Sequence, residues 1–214
     1  MSGKITGEEA LKNLVEGNLR FAYDHSLYPR NWGMKRQKLF KGQTPFAVIV
    51  GCSDSRVCPE IIFDANLGDL FVIRTAGHVM DGSVLGSMQF AVKHLKVPLI
   101  VVLGHSGCGA VEAAINRAKE VQSLKKLIKS IHHSIKSYLR EKRPDMDQVI
   151  EEHTKHDAED LKKRWSFFLP YIQRGDLRVI AAHYEMSTGL VKFFDHKKQR
   201  HELPEGEREQ VCGI

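Results

Sequence analysis

Apolar runs rich in β-branched residues alternate along the chain with segments whose apolar positions recur at helical spacing. Four such runs stand out, at residues 46–50, 70–73, 99–103 and 177–182. Unbroken apolar runs of this length are typical of strands in a parallel sheet, because helices cover both of its faces. The pattern therefore predicts an α/β fold in which a mainly parallel central sheet is flanked by helices.

Helical spacing is found between and before these runs. It covers residues 83–95, a stretch that begins at Gly109, and a long amphipathic segment over residues 119–140. After the last long run, the turn signal Thr188-Gly189 is followed by a short apolar stretch, which predicts a short returning strand.

The N-terminal part is a separate helical segment, over residues 7–23, followed by a polar, basic connector. We interpret residues 1–42 as an N-terminal helical arm with its connector, and residues 43–214 as the α/β core of a single domain. By itself, the pattern leaves open whether the arm packs on its own core or on a partner subunit.

Length and charge narrow the class of protein. A chain of 214 residues suffices for one substantial domain. The net charge of +6 does not form a basic patch, because acidic and basic residues are interleaved over residues 117–164. We therefore expect no nucleic-acid partner.

No apolar run approaches the ~18 residues of a membrane span, and the N-terminus lacks the apolar core of a secretory signal. We expect a cytoplasmic protein with no membrane partner.

Two cysteines and a histidine are placed where ligand sites form. Cys52 follows the first core strand, His105 follows the third, and Cys108 comes shortly after at the start of a helix. The carboxyl ends of parallel strands meet at one edge of a sheet, so these side chains are expected to converge. Two thiolates and an imidazole suit Zn²⁺ and leave a fourth position for water. Asp54 can accept a proton or a hydrogen bond from that water, and Arg56 can hold its carboxylate.

Other interpretations of these residues stay open at this point. A cysteine after a strand is usually buried packing, and Asp54 with Arg56 is also compatible with an ordinary surface pair. A structural zinc closed by Asp54 and a zinc-free redox protein using Cys52 and Cys108 are the alternatives from other classes. Cys58 is expected to pack, Cys212 to be exposed in the tail, and the histidines at 132, 133, 153 and 156 to lie on the surface.

Two segments, GCSDSRVCPEIIFDANLGDLFVIRTAGHVM and VPLIVVLGHSGCGAVEAA, resemble the β-class carbonic anhydrases. In them, Cys-x-Asp-x-Arg precedes His-x-x-Cys. The resemblance is nearly continuous over residues 43–114 and weaker at residues 17–21 and 188–189. It implies zinc-dependent reversible hydration of carbon dioxide to bicarbonate and a proton by a zinc-bound hydroxide. The zinc ligands would be Cys52, His105 and Cys108, with Asp54 and Arg56 as the catalytic dyad.

The resemblance also implies an assembly and a substrate pocket. Family members form dimers, often paired into tetramers, with active sites at subunit interfaces and N-terminal helices that embrace the partner. The residue corresponding to Gln43 binds substrate, and those corresponding to Phe71 and Phe90 wall the carbon dioxide pocket. Members that carry this glutamine keep the zinc open, although Asp54 could still become a fourth ligand at low pH.

Some positions depart from the common family pattern. His78 stands where many members have Asn, and Gln89-Phe90 where many have Glu-Tyr. The remaining functional alternatives are hydrolysis of carbonyl sulfide or carbon disulfide, and a non-catalytic bicarbonate-binding zinc protein.

Overall fold

The fold is described from a computed structural model of the chain. The described residues are 5–27, 32–116, 121–136, 138–140, 145–163 and 165–194. Cys212, which we expect to be exposed in the C-terminal tail, lies outside the described residues.

Among the described residues, five strands form the central sheet. They are β1 (Ala47–Cys52), β2 (Leu70–Thr75), β3 (Leu99–His105), β4 (Arg178–Tyr184) and β5 (Val191–Phe194). The strand order is β2-β1-β3-β4-β5. The first four strands pair in parallel, and β5 pairs antiparallel with β4. The mainly parallel sheet is therefore confirmed, and β5 is the short returning strand that the turn at Thr188-Gly189 predicts.

Two strands extend beyond their apolar runs, which changes the position of the site residues. Cys52 is the last residue of β1 and His105 the last of β3, whereas the pattern predicted that both would follow their strands. Gly51 and Gly104 interrupt the apolar runs just before these ends, and this interruption explains the error.

The described helices are α1 (Gly7–Ala22), α2 (Gly33–Leu39), α3 (Pro59–Ile62), α4 (Gly82–Phe90), α5 (Gly109–Ile115), α6 (Gln122–Ser134), α7 (Met146–Lys163) and α8 (Leu169–Gln173). Short 3₁₀ turns occur at Ala76–His78 and Tyr138–Arg140, and a π-helical turn at Ala91–Leu95 extends α4. No described helix is long and apolar enough to cross a membrane.

The helical prediction over residues 119–140 is wrong in extent. Helix α6 ends at Ser134, and the pattern missed the long α7 altogether. The buried face of α7 includes the polar residues His153 and Thr154, so its apolar repeat is weak in the sequence.

Helix α1 packs on its own sheet, which corrects the expectation that it embraces a partner. Its residues Leu11 and Leu14 are buried in one apolar cluster with Ile49 of β1 and Val101 of β3. A Cβ at Gly17 would lie 1.9 Å from the carbonyl oxygen of Phe63, so α1 makes a backbone contact that only glycine permits. The arm is therefore part of the core of its own chain.

A buried amide fixes α1 to the rest of the core. The Asn18 side chain donates to the carbonyl oxygens of Ile62 and Gly189, at 3.1 and 2.9 Å. Its Oδ1 accepts from the Val191 backbone N–H at 2.7 Å. Since the buried amide is paired on both of its polar atoms, it holds α1 in one register against β5.

Apolar packing covers the other face and the carboxyl end of the sheet. Helices α4, α7 and α8 lie near the face formed by Val48, Ile100 and Val179. A third cluster, from α5, α6 and α7, surrounds Cys52 and Cys108. Edge strand β2 is different, because its side chains are mostly half-buried; the prediction that both of its faces are covered is wrong for the single chain.

Candidate metal centre

The three predicted ligand residues meet at the carboxyl end of the sheet. Cys52 and His105 end adjacent parallel strands, and Cys108 is the N-cap of α5. One ligand atom from each residue lies within 4.8 Å of the other two, and all three residues are buried. We call this group, with the strand ends that carry it, the metal end.

The histidine presents one nitrogen for a metal. His105 Nδ1 lies 3.0 Å from the carbonyl oxygen of Ser106. A carbonyl can only accept, so Nδ1 carries the hydrogen. The other nitrogen, Nε2, is buried and has no hydrogen-bond partner among the described residues. An unpaired lone pair in a buried site fits a metal ligand, and the carbonyl of Ser106 orients the ring.

The two thiols differ in acidity when no metal is bound. A hydrogen bond from Cys108 lowers the pKa of Cys52, and two backbone N–H groups act in the same direction. These amides, of Gly77 and Asp54, lie 3.3 and 3.4 Å from Cys52 Sγ. The bond to Cys52 and burial instead raise the pKa of Cys108. The two thiols thus share one proton, which a metal would displace.

Asp54 and Arg56 form the bidentate pair that the sequence suggested. Arg56 Nε and Nη2 lie 3.0 and 2.7 Å from the two carboxylate oxygens of Asp54. The Arg56 backbone N–H also donates to Oδ1, at 3.0 Å. These bonds hold the pKa of Asp54 well below its usual range. Asp54 is therefore ionised and turned toward Arg56, outside the compact group of three ligand atoms.

Arg74 was not singled out from the sequence, yet it supports this loop. Its Nε donates to the carbonyl oxygen of Cys52 at 2.9 Å, and its Nη2 donates to that of Asp54 at 2.6 Å. Arg74 pairs with Gly51 across β1 and β2, so it reaches the turn between ligand and dyad. Its position, a charged residue directly after the apolar run of β2, was the feature of the sequence that could have identified Arg74.

The predicted substrate residues lie away from the metal end of their own chain. Phe71 pairs with Val48, whereas Thr75 pairs with Cys52. Four positions of strand separate Phe71 from Thr75, or about 13 Å at roughly 3.3 Å per residue. Gln43 precedes β1 and is therefore near the opposite, amino end of the sheet. The structure does not bring these residues to the metal end within one subunit.

Gln43 instead lies on an exposed surface with the connector, whereas Phe71 packs on the opposite side of β2 from Leu70 of that surface. Gln43 lines an open groove of about 520 Å³ with Phe40, Leu67 and Leu70. The Phe71 and Phe90 rings are 6.5 Å apart, and Phe90 is 48% exposed. We call the surface formed by residues 32–43, Leu67 and the exposed edge of β2 the connector face.

The outcomes for the other singled-out residues are mixed. His153 is buried, so its predicted surface position is wrong. His132 and His156 are half-buried and His133 is exposed. Cys58 is a half-buried free thiol whose Sγ lies 3.5 Å from a carboxylate oxygen of Glu60.

Comparisons with known proteins identify the family of the chain. The family model described as carbonic anhydrase matches residues 47–191. Carbonic anhydrase 2 of Mycobacterium tuberculosis is 40% identical over 191 residues, which are 87% of this chain and 92% of that protein. Among solved structures, the β-carbonic anhydrase CafA of Aspergillus fumigatus is similar with a TM-score of 0.70 and 26% identity, covering 90% of this chain and 92% of that one.

A tetrameric β-carbonic anhydrase of Sordaria macrospora is similar with a TM-score of 0.66 and 25% identity, covering 74% of this chain and 85% of that one. The family model spans most of the chain, and the relatives match along nearly their whole length. The chain therefore belongs to the β-class carbonic anhydrase family and is an enzyme of that family.

Proposed function

We propose that this enzyme catalyses the reversible hydration of carbon dioxide to bicarbonate and a proton at a zinc ion held by Cys52, His105 and Cys108. The observation that carries the proposal is the buried ligand trio, in which His105 Nε2 has no other described partner. The thiolate–imidazole set matches the preference of zinc, and three ligands leave one position open. A zinc ion bound there would lower the pKa of a coordinated water to about 7 and so supply a nucleophile near neutrality.

The chain's own groups would prepare the site for this chemistry. The amides of Gly77 and Asp54 stabilise the Cys52 thiolate. Apolar residues around both cysteines, including Val111, keep bulk water from the ligands. This dry surrounding strengthens electrostatic interactions with the reacting oxygen.

In this proposal Asp54 orients the reacting water and does not store its proton. Its pKa lies well below the usual range because of Arg56, so it stays ionised across the working pH range. Oδ1 of Asp54 already accepts two bonds from Arg56, whereas Oδ2 accepts one and keeps a further lone pair. Oδ2 can therefore accept the hydrogen bond of a water beside the ligands, while Arg56 keeps the carboxylate off the metal. The pairing supports the open form of the site.

We further propose that Gln43, Phe71 and Phe90 form the carbon dioxide pocket of a partner subunit. They lie too far along the sheet to reach the metal end of their own chain. The connector face carries large exposed apolar side chains, which suits a contact between subunits. These are Trp32, Met34, Phe40 and Leu67.

A homo-oligomer, a dimer or a pair of dimers, follows from this arrangement. In a twofold assembly the same face is used twice, so each subunit would give a pocket and receive one. The tetrameric Sordaria macrospora enzyme has the same fold, which supports the assembly.

The test combines metal analysis with a carbon dioxide hydration assay across pH. We expect one zinc per chain and activity that rises with pH through about 7. Cys108→Ser should lose the metal and nearly all activity, because a hydroxyl is a much poorer zinc ligand than a thiolate. Cys58→Ser is the matched control and should keep both, since Cys58 lies outside the ligand group.

Each alternative predicts a different result. A closed structural zinc or a bicarbonate-binding protein would contain zinc but not hydrate carbon dioxide, and a redox protein would contain no zinc. Carbonyl sulfide, offered as a competing substrate, tests the hydrolase alternative. Full hydration activity in zinc-free enzyme would contradict the proposed site.

A further inference from the structure

A second group of titratable side chains lies beside the metal end. The rings of His78 and His153 are stacked, with centroids 4.3 Å apart and planes at 22°. Asp157 lies next to both, at 3.7 Å from His78 Nε2 and 3.8 Å from His153 Nδ1. Both histidines are 1% exposed. Burying titratable side chains costs free energy, so we expect this group to have a structural or functional role.

The geometry does not favour a second metal site. His153 Nε2 lies 3.0 Å from the carbonyl oxygen of Gly77, and Nδ1 lies 2.6 Å from Ser134 Oγ. Both ring nitrogens of His153 are thus engaged, and Nε2 must carry a hydrogen because a carbonyl only accepts. Nearly parallel stacked rings also direct their in-plane lone pairs alongside each other instead of toward one ion. The role that these contacts indicate for His153 is to hold the backbone at Gly77 in place.

That backbone leads directly to a metal ligand. The Gly77 N–H donates to Cys52 Sγ at 3.3 Å, while the Gly77 carbonyl accepts from His153. The two peptide groups on either side of the Gly77 Cα thus join His153 to Cys52. Their relative orientation depends on the φ and ψ angles of this one residue.

The conformation of this turn needs external support. Gly77 has φ +59° and His78 has φ +46°, and the left-handed region is costly for a histidine. The positive φ favours glycine at Gly77, where a Cβ would also lie 2.7 Å from Ile131 Cδ1. Burial against His153 holds the His78 ring, and the bond from His153 holds the Gly77 carbonyl.

We propose that His153 is a positioning residue for Cys52, acting through the Gly77 backbone. By fixing the Gly77 carbonyl, His153 keeps the preceding N–H directed at the thiolate, which limits the thiolate's motion and stabilises its charge. The inference rests on the proposed zinc site. Loss of such an outer-shell partner typically weakens metal binding by about 10–100-fold.

A matched pair of variants isolates the bond to Gly77. Gln and Met are unbranched and similar in length, and the Gln amide nitrogen is as many bonds from Cα as His Nε2. His153→Gln can donate to the Gly77 carbonyl, whereas His153→Met cannot; both lose the stack on His78 equally. His132→Met, on neighbouring helix α6, controls for the loss of a histidine outside this group.

The measurements are zinc release to a chelator and the thiolate-to-cobalt absorption band of Co²⁺-substituted protein. We expect His153→Met to release zinc about tenfold faster than the parent and to shift the cobalt band. His153→Gln should stay within about twofold of the parent, and His132→Met should match the parent in both measurements.

Other results would overturn the inference. Zinc release and a cobalt spectrum in folded His153→Met equal to those of His153→Gln would show that the bond to Gly77 does not position the thiolate. If His153→Met fails to fold, Ser134→Ala decides, since it removes the Nδ1 partner but keeps the ring. Faster zinc release in Ser134→Ala supports the inference, and an unchanged rate contradicts it. A parent protein that binds no zinc would instead refute the proposed function.

Discussion

The metal end and the connector face differ in how much of each is complete within one chain. At the metal end the ligands are buried, Asp54 is paired with Arg56, and backbone amides already point at Cys52. On the connector face, α2 has no buried residues, and Phe40 is 92% exposed. Both regions carry predicted site residues, but only the metal end has its polar groups paired and its side chains buried within one chain.

The difference indicates which parts of catalysis depend on assembly. The candidate metal ligands already lie close together in the core of one subunit. In the proposed function, the walls of the substrate pocket are complete only when another subunit covers the connector face. We therefore expect metal content to be insensitive to protein concentration, and activity to fall when subunits dissociate.

The largest effect is expected from truncations in the two N-terminal helical regions. Leu14→Ala should lower the free energy of unfolding by about 2–5 kcal/mol, because Leu14 is fully buried in the chain's own core. Phe40→Ala should change the stability of the single chain by less than about 0.5 kcal/mol but weaken subunit association. Urea unfolding and analytical ultracentrifugation measure the two quantities. Equal stability losses in both variants would remove the distinction between core and connector face.

A change at the dyad comes next. Arg56→Ala should reduce kcat/KM by about 100-fold, because Asp54 loses both side-chain bonds that keep it off the metal. Arg56→Lys keeps the charge but not the bidentate geometry, so its activity should lie between those of the parent and of Arg56→Ala. Zinc content should be unchanged in both variants. Parent-like activity in Arg56→Ala would exclude the dyad from catalysis.

Gln43→Ala tests whether the connector face serves another subunit. Loss of one substrate hydrogen bond should lower kcat/KM by about tenfold, with zinc retained. The sharper test mixes Gln43→Ala subunits with metal-free Cys108→Ser subunits after dissociation. If pockets are exchanged in a twofold dimer, half of the dimers are mixed and each has one complete site, which restores about a quarter of parent activity. No recovery would mean that Gln43 acts within its own chain or not at all.

The last effect concerns the loss of stability in acid that His78 causes. Burial, helped by neighbouring His153, lowers the pKa of His78 from 6.5 to about 3. The unfolded chain therefore binds this proton first, and stability is lost as pH falls from 6.5 toward 3, by at most about 1.4 kcal/mol per pH unit. His78→Asn removes the titration, and Asn tolerates the left-handed backbone.

Urea unfolding of the His78→Asn variant between pH 7 and pH 5 should show a shallower loss of stability than the parent. His133→Asn, at an exposed position, is the control and should follow the parent. Parallel curves for the parent and His78→Asn would mean that His78 contributes no acid sensitivity.

The features that could be predicted from the sequence are those in which an apolar run ends next to residues of a recognisable chemical type. The apolar runs located four strands, and Cys52, His105 and Cys108 were identified because parallel strands end at one edge. Helix α7 was missed, since its buried face includes His153 and Thr154, whose polar side chains break the apolar repeat. Arg74 was missed because its role depends on the distant carbonyl groups that it reaches.

By itself the sequence determined the parallel α/β architecture, the residues of the candidate ligand set and the family. These features depend on residue type and local spacing, which can be read directly from the sequence. Only the tertiary structure decided that α1 belongs to its own core, that Cys52 is the more acidic thiol, and that His153 contacts Gly77. It also separated Gln43 and Phe71 from the metal end. Such facts depend on which distant groups become neighbours, and on the burial and hydrogen bonds that arise once they meet.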